Sequence, residues 1–174
     1  MRDWQRGCVQ VYTGDGKGKT TAALGLALRA AGAGLRVFIG QFVKGMEYSE
    51  LRALERFPEI EVRRYGRECF IDREPEPEDI EAAHVGLADA REELLSGRWD
   101  VVILDEANIA TYFELFPVEE LLALIGERPP CVELVITGRR ADPRIIEAAD
   151  LVTEMREVKH YYQCGVPCRK GIES

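Results

Sequence analysis

Apolar runs along the chain alternate between short stretches and helix-length ones. CVQVYT (Cys8–Thr13), RVFIGQF (Arg36–Phe42), IEVRRY (Ile60–Tyr65), DVVILD (Asp100–Asp105) and CVELVIT (Cys131–Thr137) read as strands, with DLVTEMR (Asp150–Arg156) as a sixth. Several lack polar alternation and are rich in Val and Ile, which suits strands buried on both faces of a parallel sheet. Between them lie helical segments. Thr20–Ala31 is rich in Ala and Leu and stops at Gly32, and Glu47–Phe57 ends before Pro58. Glu78–Leu95 is acid-faced with Gly97 as its stop, Val118–Gly126 follows Pro117, and Pro143–Ala149 is short. This alternation predicts right-handed crossovers and an α/β layer architecture, with a mostly parallel sheet flanked by helices. Residues 1–174 are expected to form a single domain. Arg64–Pro77 and the tail after Glu157 fit no regular element, which makes them candidate active-site loops.

Composition narrows the class of partner. With 23 Lys and Arg against 31 Asp and Glu, the net charge is −8. An acidic surface argues against nucleic acid, whose phosphates need a basic face. No apolar run approaches the roughly 20 residues of a membrane span. The opening MRDWQRGC has no apolar signal core, and the 5 cysteines are odd in number and scattered. A cytoplasmic setting is therefore expected.

The candidate chemistry starts at VYTGDGKGKTT (Val11–Thr21). The usual phosphate-loop pattern is Gly, four residues, then Gly-Lys-Ser/Thr. Gly18, Lys19 and Thr20 fit its end, but Thr13 stands where the first glycine belongs and Gly14 comes one place late. The setting, after a predicted strand and opening a predicted helix, is the one the mechanism requires. Gly14, Gly16 and Gly18 let backbone N–H groups approach oxyanions, and the helix N-terminus adds partial positive charge. Lys19 is placed to reach phosphate oxygens, Thr20 offers a hydroxyl to Mg²⁺, and Lys17 is an additional cation. Asp15 is open between a ribose or metal contact and a turn cap. The second half of such a site is an acid at the end of a buried strand, which VVILDEA supplies as Asp105 and Glu106. There Asp105 is expected to hold Mg²⁺, and Glu106 either joins it or activates a water.

With these residues in place, the chain resembles the P-loop corrinoid adenosyltransferases, which convert cob(I)alamin and ATP to adenosylcobalamin. Besides TGDGKGKTTAALG, the likeness covers QFVKG (Gln41–Gly45), VVILDE (Val101–Glu106), VITGR (Val135–Arg139) and the closing VKH…GVPCRKGIE (Val158–Glu173). The resemblance implies a P-loop NTPase-like (RecA-like) fold. In it Gly14, Asp15, Gly16, Lys17, Gly18, Lys19, Thr20 and Thr21 hold a triphosphate, while Thr20, Asp105 and Glu106 manage Mg²⁺. Lys19 would face the charge growing on the departing triphosphate, so Lys19 and Glu106 are the expected catalytic residues. Reduced cobalt is the nucleophile in that family, and no general base is needed. A reduced flavoprotein as electron donor and a homodimer are likewise implied. Family members often carry a long N-terminal arm that covers a partner subunit's site; here the first strand is expected near Cys8. They also use bulky aromatics after the third strand to exclude the lower axial base from cobalt; Phe70 is the preferred candidate here, with buried packing as its other reading, and Tyr65 is the other aromatic nearby.

The rival functions are a P-loop ATPase or kinase, with Glu106 activating water or a hydroxyl, and a non-enzymatic nucleotide-dependent corrinoid carrier. Other residues read more plainly. Of Arg139 and Arg140, which follow a strand end, Arg139 is taken as the nucleotide contact. His160, Cys164 and Cys168 make a weak metal set that lacks a fourth ligand. His84 reads as a helix residue and Trp99 as packing under the sheet edge. Tyr161 and Tyr162 either line a corrin face or seal the tail.

Overall fold

The computed structural model describes residues 4–43, 49–66 and 75–173. Its strands are β1 (Val9–Thr13), β2 (Val37–Phe42), β3 (Ile60–Tyr65), β4 (Val101–Asp105), β5 (Glu133–Thr137) and β6 (Leu151–Glu154). They form one sheet in the order β3-β2-β4-β5-β1-β6, and every pairing in it is parallel. The α/β expectation holds, with each strand within two residues of its predicted bounds. The helices are α1 (Lys19–Gly32), α2 (Ser49–Leu54), α3 (Pro77–Leu95), α4 (Ala107–Tyr112), α5 (Val118–Glu127) and α6 (Pro143–Ala148).

Both faces of the sheet are covered, so successive residues of one strand feed two separate cores. Val37, Ile39, Val101, Ile103 and Val135 point to α1 and α2. Phe38, Phe42, Val102, Leu104, Leu134 and Ile136 point to the face packed by α3, α4, α5 and α6. A strand apolar on both faces has no polar alternation, which is why these strands read as continuous runs. On α1 the inward residues are Ala23, Leu24, Ala27, Ala30 and Ala31. Small side chains there favour the helix and let it lie close to the sheet.

Helix α3 starts with a reciprocal capping box between Glu76 and Asp79, and Pro77 occupies its first turn. It buries Ala83, Leu87, Ala90 and Leu94 at helical spacing. Near its end Glu93, only 2% exposed, would be a costly lone charge. Instead it pairs with Arg63 at 2.8 Å and with Arg98, and accepts a hydrogen bond of 2.7 Å from Trp99 Nε1. Trp99 also packs on Phe38, so its expected role under the sheet is observed. Tyr65 is packed rather than presented to a ligand. Its ring lies 5.4 Å from that of Phe42 and its hydroxyl donates to Asp89. Burial, then that carboxylate, pushes the Tyr65 hydroxyl pKa up. His84 is an exposed residue of α3. Phe70 lies outside the described residues.

Helix α4 was not anticipated. Its segment ANIATY mixes β-branched and aromatic residues of weak helix propensity. It forms because Ala107, Asn108 and Ala110 are buried beside the sheet directly after β4.

A Cβ at Gly86 would fall 2.3 Å from Tyr65 Cγ and 2.4 Å from its Cβ, in the stem of the ring where nothing can swing aside. Gly86→Ala should therefore destabilise the fold by about 1–3 kcal/mol through overpacking. Gly126→Ala, in α5 with nothing within 4 Å, should be neutral or stabilising by up to about 1 kcal/mol. Urea denaturation of the two variants checks the contrast; equal effects would contradict the packing assigned to Gly86.

Candidate nucleotide site

The loop between β1 and α1 opens at the C-terminal edge of the sheet, where parallel α/β sheets gather ligands. Gly14 and Gly18 have φ of 92° and 121°, values that favour glycine. Lys19 is only 6% exposed, and its ammonium donates to Gly14 O and Gly16 O, both at 2.7 Å. The loop thus curls around its own cation. Thr20 Oγ1 then donates 2.9 Å to Asp105 Oδ1 at the end of β4. The two motif halves predicted from the sequence meet in that bond.

Strand order explains how Asp105 is held. Strand β5 lies between β4 and β1, so its last residue, Thr137, stands between the acid and the loop. The Thr137 hydroxyl donates to Asp105 Oδ1 at 2.7 Å and accepts the Glu106 N–H at 3.0 Å. On the other side Gln41, in register with Asp105, donates to its Oδ2 at 3.1 Å. Asp105 is 1% exposed, and these donors compensate the burial of its charge. Gln41 and Thr137 sit inside the QFVKG and VITGR blocks, but sequence reasoning did not single them out as site residues. The available signal was strand-end position: each is a polar residue at the C-terminal end of a buried strand.

Glu106 and Val43 follow β4 and β2 with φ of 60° in each case. Both line a cleft of about 970 Å³ together with the loop from Gly16 to Thr21 and Arg139. For a β-branched valine this left-handed backbone is strained, as residues at ligand sites often are. Leu24, Leu28, Ile109 and Phe113 give the cleft an apolar wall. Arg140 faces away from it, 4.0 Å from Asp15 and over the Tyr112 ring. Asp15 is exposed on the outer side of the loop.

The chain after β6 also borders the cleft. His160, Gly171, Ile172 and Glu173 line it. A short 3₁₀ turn at Tyr161–Cys164 shapes the segment. The Lys17 ammonium is turned to this tail rather than into the curve of the loop: it donates to Ile172 O at 2.9 Å, Glu173 Oε1 at 3.1 Å and Tyr161 OH at 3.2 Å. Tyr161 therefore seals the tail, while Tyr162 is largely exposed. Cys164 and Cys168 are exposed free thiols, and His160 Nδ1 accepts from the Tyr162 N–H.

A lysine enclosed by a strand-to-helix loop, with a strand-end carboxylate on the next hydroxyl, defines a P-loop protein of the α/β class. The chain belongs to the ATP:corrinoid adenosyltransferase family, whose model, described as ATP:corrinoid adenosyltransferase BtuR/CobO/CobP, matches residues 5–174. It is 37% identical to a corrinoid adenosyltransferase of Pseudomonas aeruginosa over 97% of this chain and 84% of that one. It is 36% identical to an Escherichia coli K12 corrinoid adenosyltransferase over 97% and 86% of the two chains. For corrinoid adenosyltransferase CobA of Salmonella typhimurium the identity is 34%, over the same shares. Among solved structures, domain III of the Thermotoga maritima replication initiation protein DnaA aligns with 87% of this chain and 55% of that one. Its TM-score is 0.42 at 14% identity, a likeness too loose to bear on function.

Thr137→Val should leave the buried Asp105 short of a donor and the Glu106 N–H without its acceptor. The expected loss is about 1–3 kcal/mol of stability, with Thr137→Ser close to the parent protein. Chemical denaturation of both variants decides; a valine variant as stable as the parent would remove Thr137 from the network.

Proposed function

We propose that this chain, acting as one domain over residues 1–174, joins the 5′-deoxyadenosyl group of ATP to the cobalt of a reduced corrinoid. The observation that carries the reading is that Lys19, Thr20, Glu106 and Arg139 line one cleft whose volume of about 970 Å³ accommodates a nucleotide. Family membership supplies the substrate class.

In this reading Gly14–Thr21 hold the triphosphate as a leaving group. Cobalt(I) donates an electron pair to the ribose 5′-carbon, and the bond from that carbon to the α-phosphate oxygen breaks. Its electron pair leaves with the triphosphate, so charge grows where Lys19 and the N-terminus of α1 stand. Arg139 holds the nucleotide from the β5 end, and the apolar wall shelters the reacting carbon from water. No proton is transferred, so Glu106 need not act as a base.

The donor set at the loop suits Mg²⁺. Thr20 and Asp105 present hard oxygens 2.9 Å apart, and Glu106 lines the same cleft. Among the described residues no three His, Cys, Asp or Glu cluster as a metal cage of their own. Mg²⁺ commonly takes one or two protein oxygens and completes its shell with phosphates and water. When bound it would spread the negative charge of the triphosphate. Thr20 and Asp105 would hold it, with Glu106 beside them.

Among the described residues no helix is long and apolar enough to cross a membrane. The proposed setting is the cytoplasm, with a reduced flavoprotein as electron donor and a homodimer as the active unit.

The test is chromatography of phosphate products from Mg·ATP, with and without chemically reduced cobalamin. Inorganic triphosphate should appear in step with a light-sensitive alkylcobalt spectrum, and only when the corrinoid is present. Orthophosphate released without corrinoid would overturn the transferase in favour of an ATPase. Lys19→Ala should lower turnover by about 100-fold or more while circular dichroism stays unchanged. Near-parental turnover in that folded variant would remove Lys19 from the chemistry.

A further inference from the structure

The tail does more than border the cleft: it is fastened to the phosphate loop at two points. The first is backbone. Gly16 N–H donates to Met155 O at 2.7 Å, just after β6. A Cβ on Gly14 would lie 2.4 Å from Met155 O, and one on Gly16 would lie 2.7 Å from it and 2.8 Å from Arg156 C. The loop can be crossed this closely only because both residues are glycine.

The second point is Glu173. Its Oε1 accepts from Lys17 Nζ, from the Tyr161 hydroxyl and from Arg169 Nη2. Its Oε2 accepts from the Arg169 backbone N–H at 2.8 Å and from Arg169 Nε at 3.3 Å. The guanidinium beside it, with Tyr161 and Lys17, holds the Glu173 carboxyl well below the usual carboxylate range. Lys17 and Arg169 also lie over the Tyr161 ring, at 5.9 and 4.9 Å from its centroid. A lysine ammonium has three protons. All three of Lys17 are matched by acceptors on the tail, so none is directed into the loop.

We propose that residues 155–173 form a strap latched over the phosphate loop, with Glu173 and Tyr161 as positioning residues that act on the nucleotide site through Lys17. This rests on the nucleotide reading of the cleft. Lys17 then serves the strap while Lys19 serves the phosphates, which divides the labour between the two lysines of GKGKT. The closed strap supplies the wall formed by His160 and Gly171–Glu173 and fixes the loop's curvature from outside. Closure favours nucleotide binding because the loop and wall are already ordered.

The test is a double-mutant cycle with Lys17→Gln, Glu173→Gln and the two combined, with Tyr161→Phe as an independent variant of the same latch. Amide hydrogen exchange of residues 157–173 is measured on the free protein, and binding of Mg·ATP by calorimetry without corrinoid. Each single variant should lower strap protection about tenfold or more, as loss of a charge-assisted hydrogen bond does. Each should also weaken ATP binding, and the combined variant should lose clearly less than the sum of the two, because the singles remove one shared ion pair. Tyr161→Phe should loosen the strap in the same sense, and Lys17→Arg, which keeps a donor for Glu173, should preserve its protection. ATP affinity lost in Lys17→Gln with the strap still protected would overturn the proposal and return Lys17 to the phosphates. Additive losses in the combined variant would overturn it as well. Strap protection in the free protein requires no turnover. A failed product assay therefore refutes the adenosyl-transfer reading without imitating a failed latch.

Discussion

A carboxylate that is 1% exposed must be surrounded by donors, and Asp105 draws donors from at least three other parts of the chain. Gln41 reaches it from β2, Thr137 from β5 and Thr20 from the first turn of α1. Satisfying that one charge fixes the relative height of three strand ends and the rotation of α1 about its axis. The loop geometry depends on it, because Thr20 immediately follows the lysine that the loop encloses. Each motif block thus contributes to a single polar network: the loop through Thr20, QFVKG through Gln41, VVILDE through Asp105 and VITGR through Thr137. The closing block meets the loop at a separate point, through Glu173 and Lys17.

The order of strands makes this arrangement possible. Although β5 separates β4 from β1, Asp105 still takes a hydrogen bond directly from Thr20. With β5 interposed, a second hydroxyl, that of Thr137, also donates to the acid and accepts from the following N–H. Threonine performs both roles at once, since a hydroxyl is donor and acceptor together. The same interposition leaves Glu106 at the cleft in a left-handed backbone while Asp105 points inward. Two adjacent acids therefore have different surroundings, one sealed in the network and one facing the cleft.

The parallel sheet was legible because its strands are apolar on both faces, a pattern the side-chain period of two cannot blur. That Thr20 and Asp105 meet was legible because a Gly-Lys-Thr turn after one buried strand and an acid at the end of another are a recognisable combination. Helix α4 was not, since its formation depends on burial of Ala107 and Ala110 beside the sheet rather than on propensity. Gln41 and Thr137 look like ordinary strand residues until register places them around Asp105. The direction of Lys17 was equally hidden. Its acceptors lie more than 140 positions away along the chain, and only the fold brings them to the loop.

The late glycine of the loop has a physical reason in this geometry. In the usual pattern the first glycine stands where this chain has Thr13, but here Thr13 is still the last residue of β1 and is buried. Its carbonyl accepts from Met155 N–H at 2.8 Å, which continues the β1–β6 pairing one step beyond the strand. The backbone of Met155 and Arg156 therefore lies against the next residues of the loop, and the chain needs glycine at 14 and 16, where a Cβ would meet it. A loop selected only for phosphate contact would need its small residues on the concave side. This one also needs them where β6 exits, so the glycine spacing reports on the chain that crosses the loop. With one loop N–H, that of Gly16, already given to Met155 O, the proposed nucleotide site would draw its donors from elsewhere along the loop and from the start of α1.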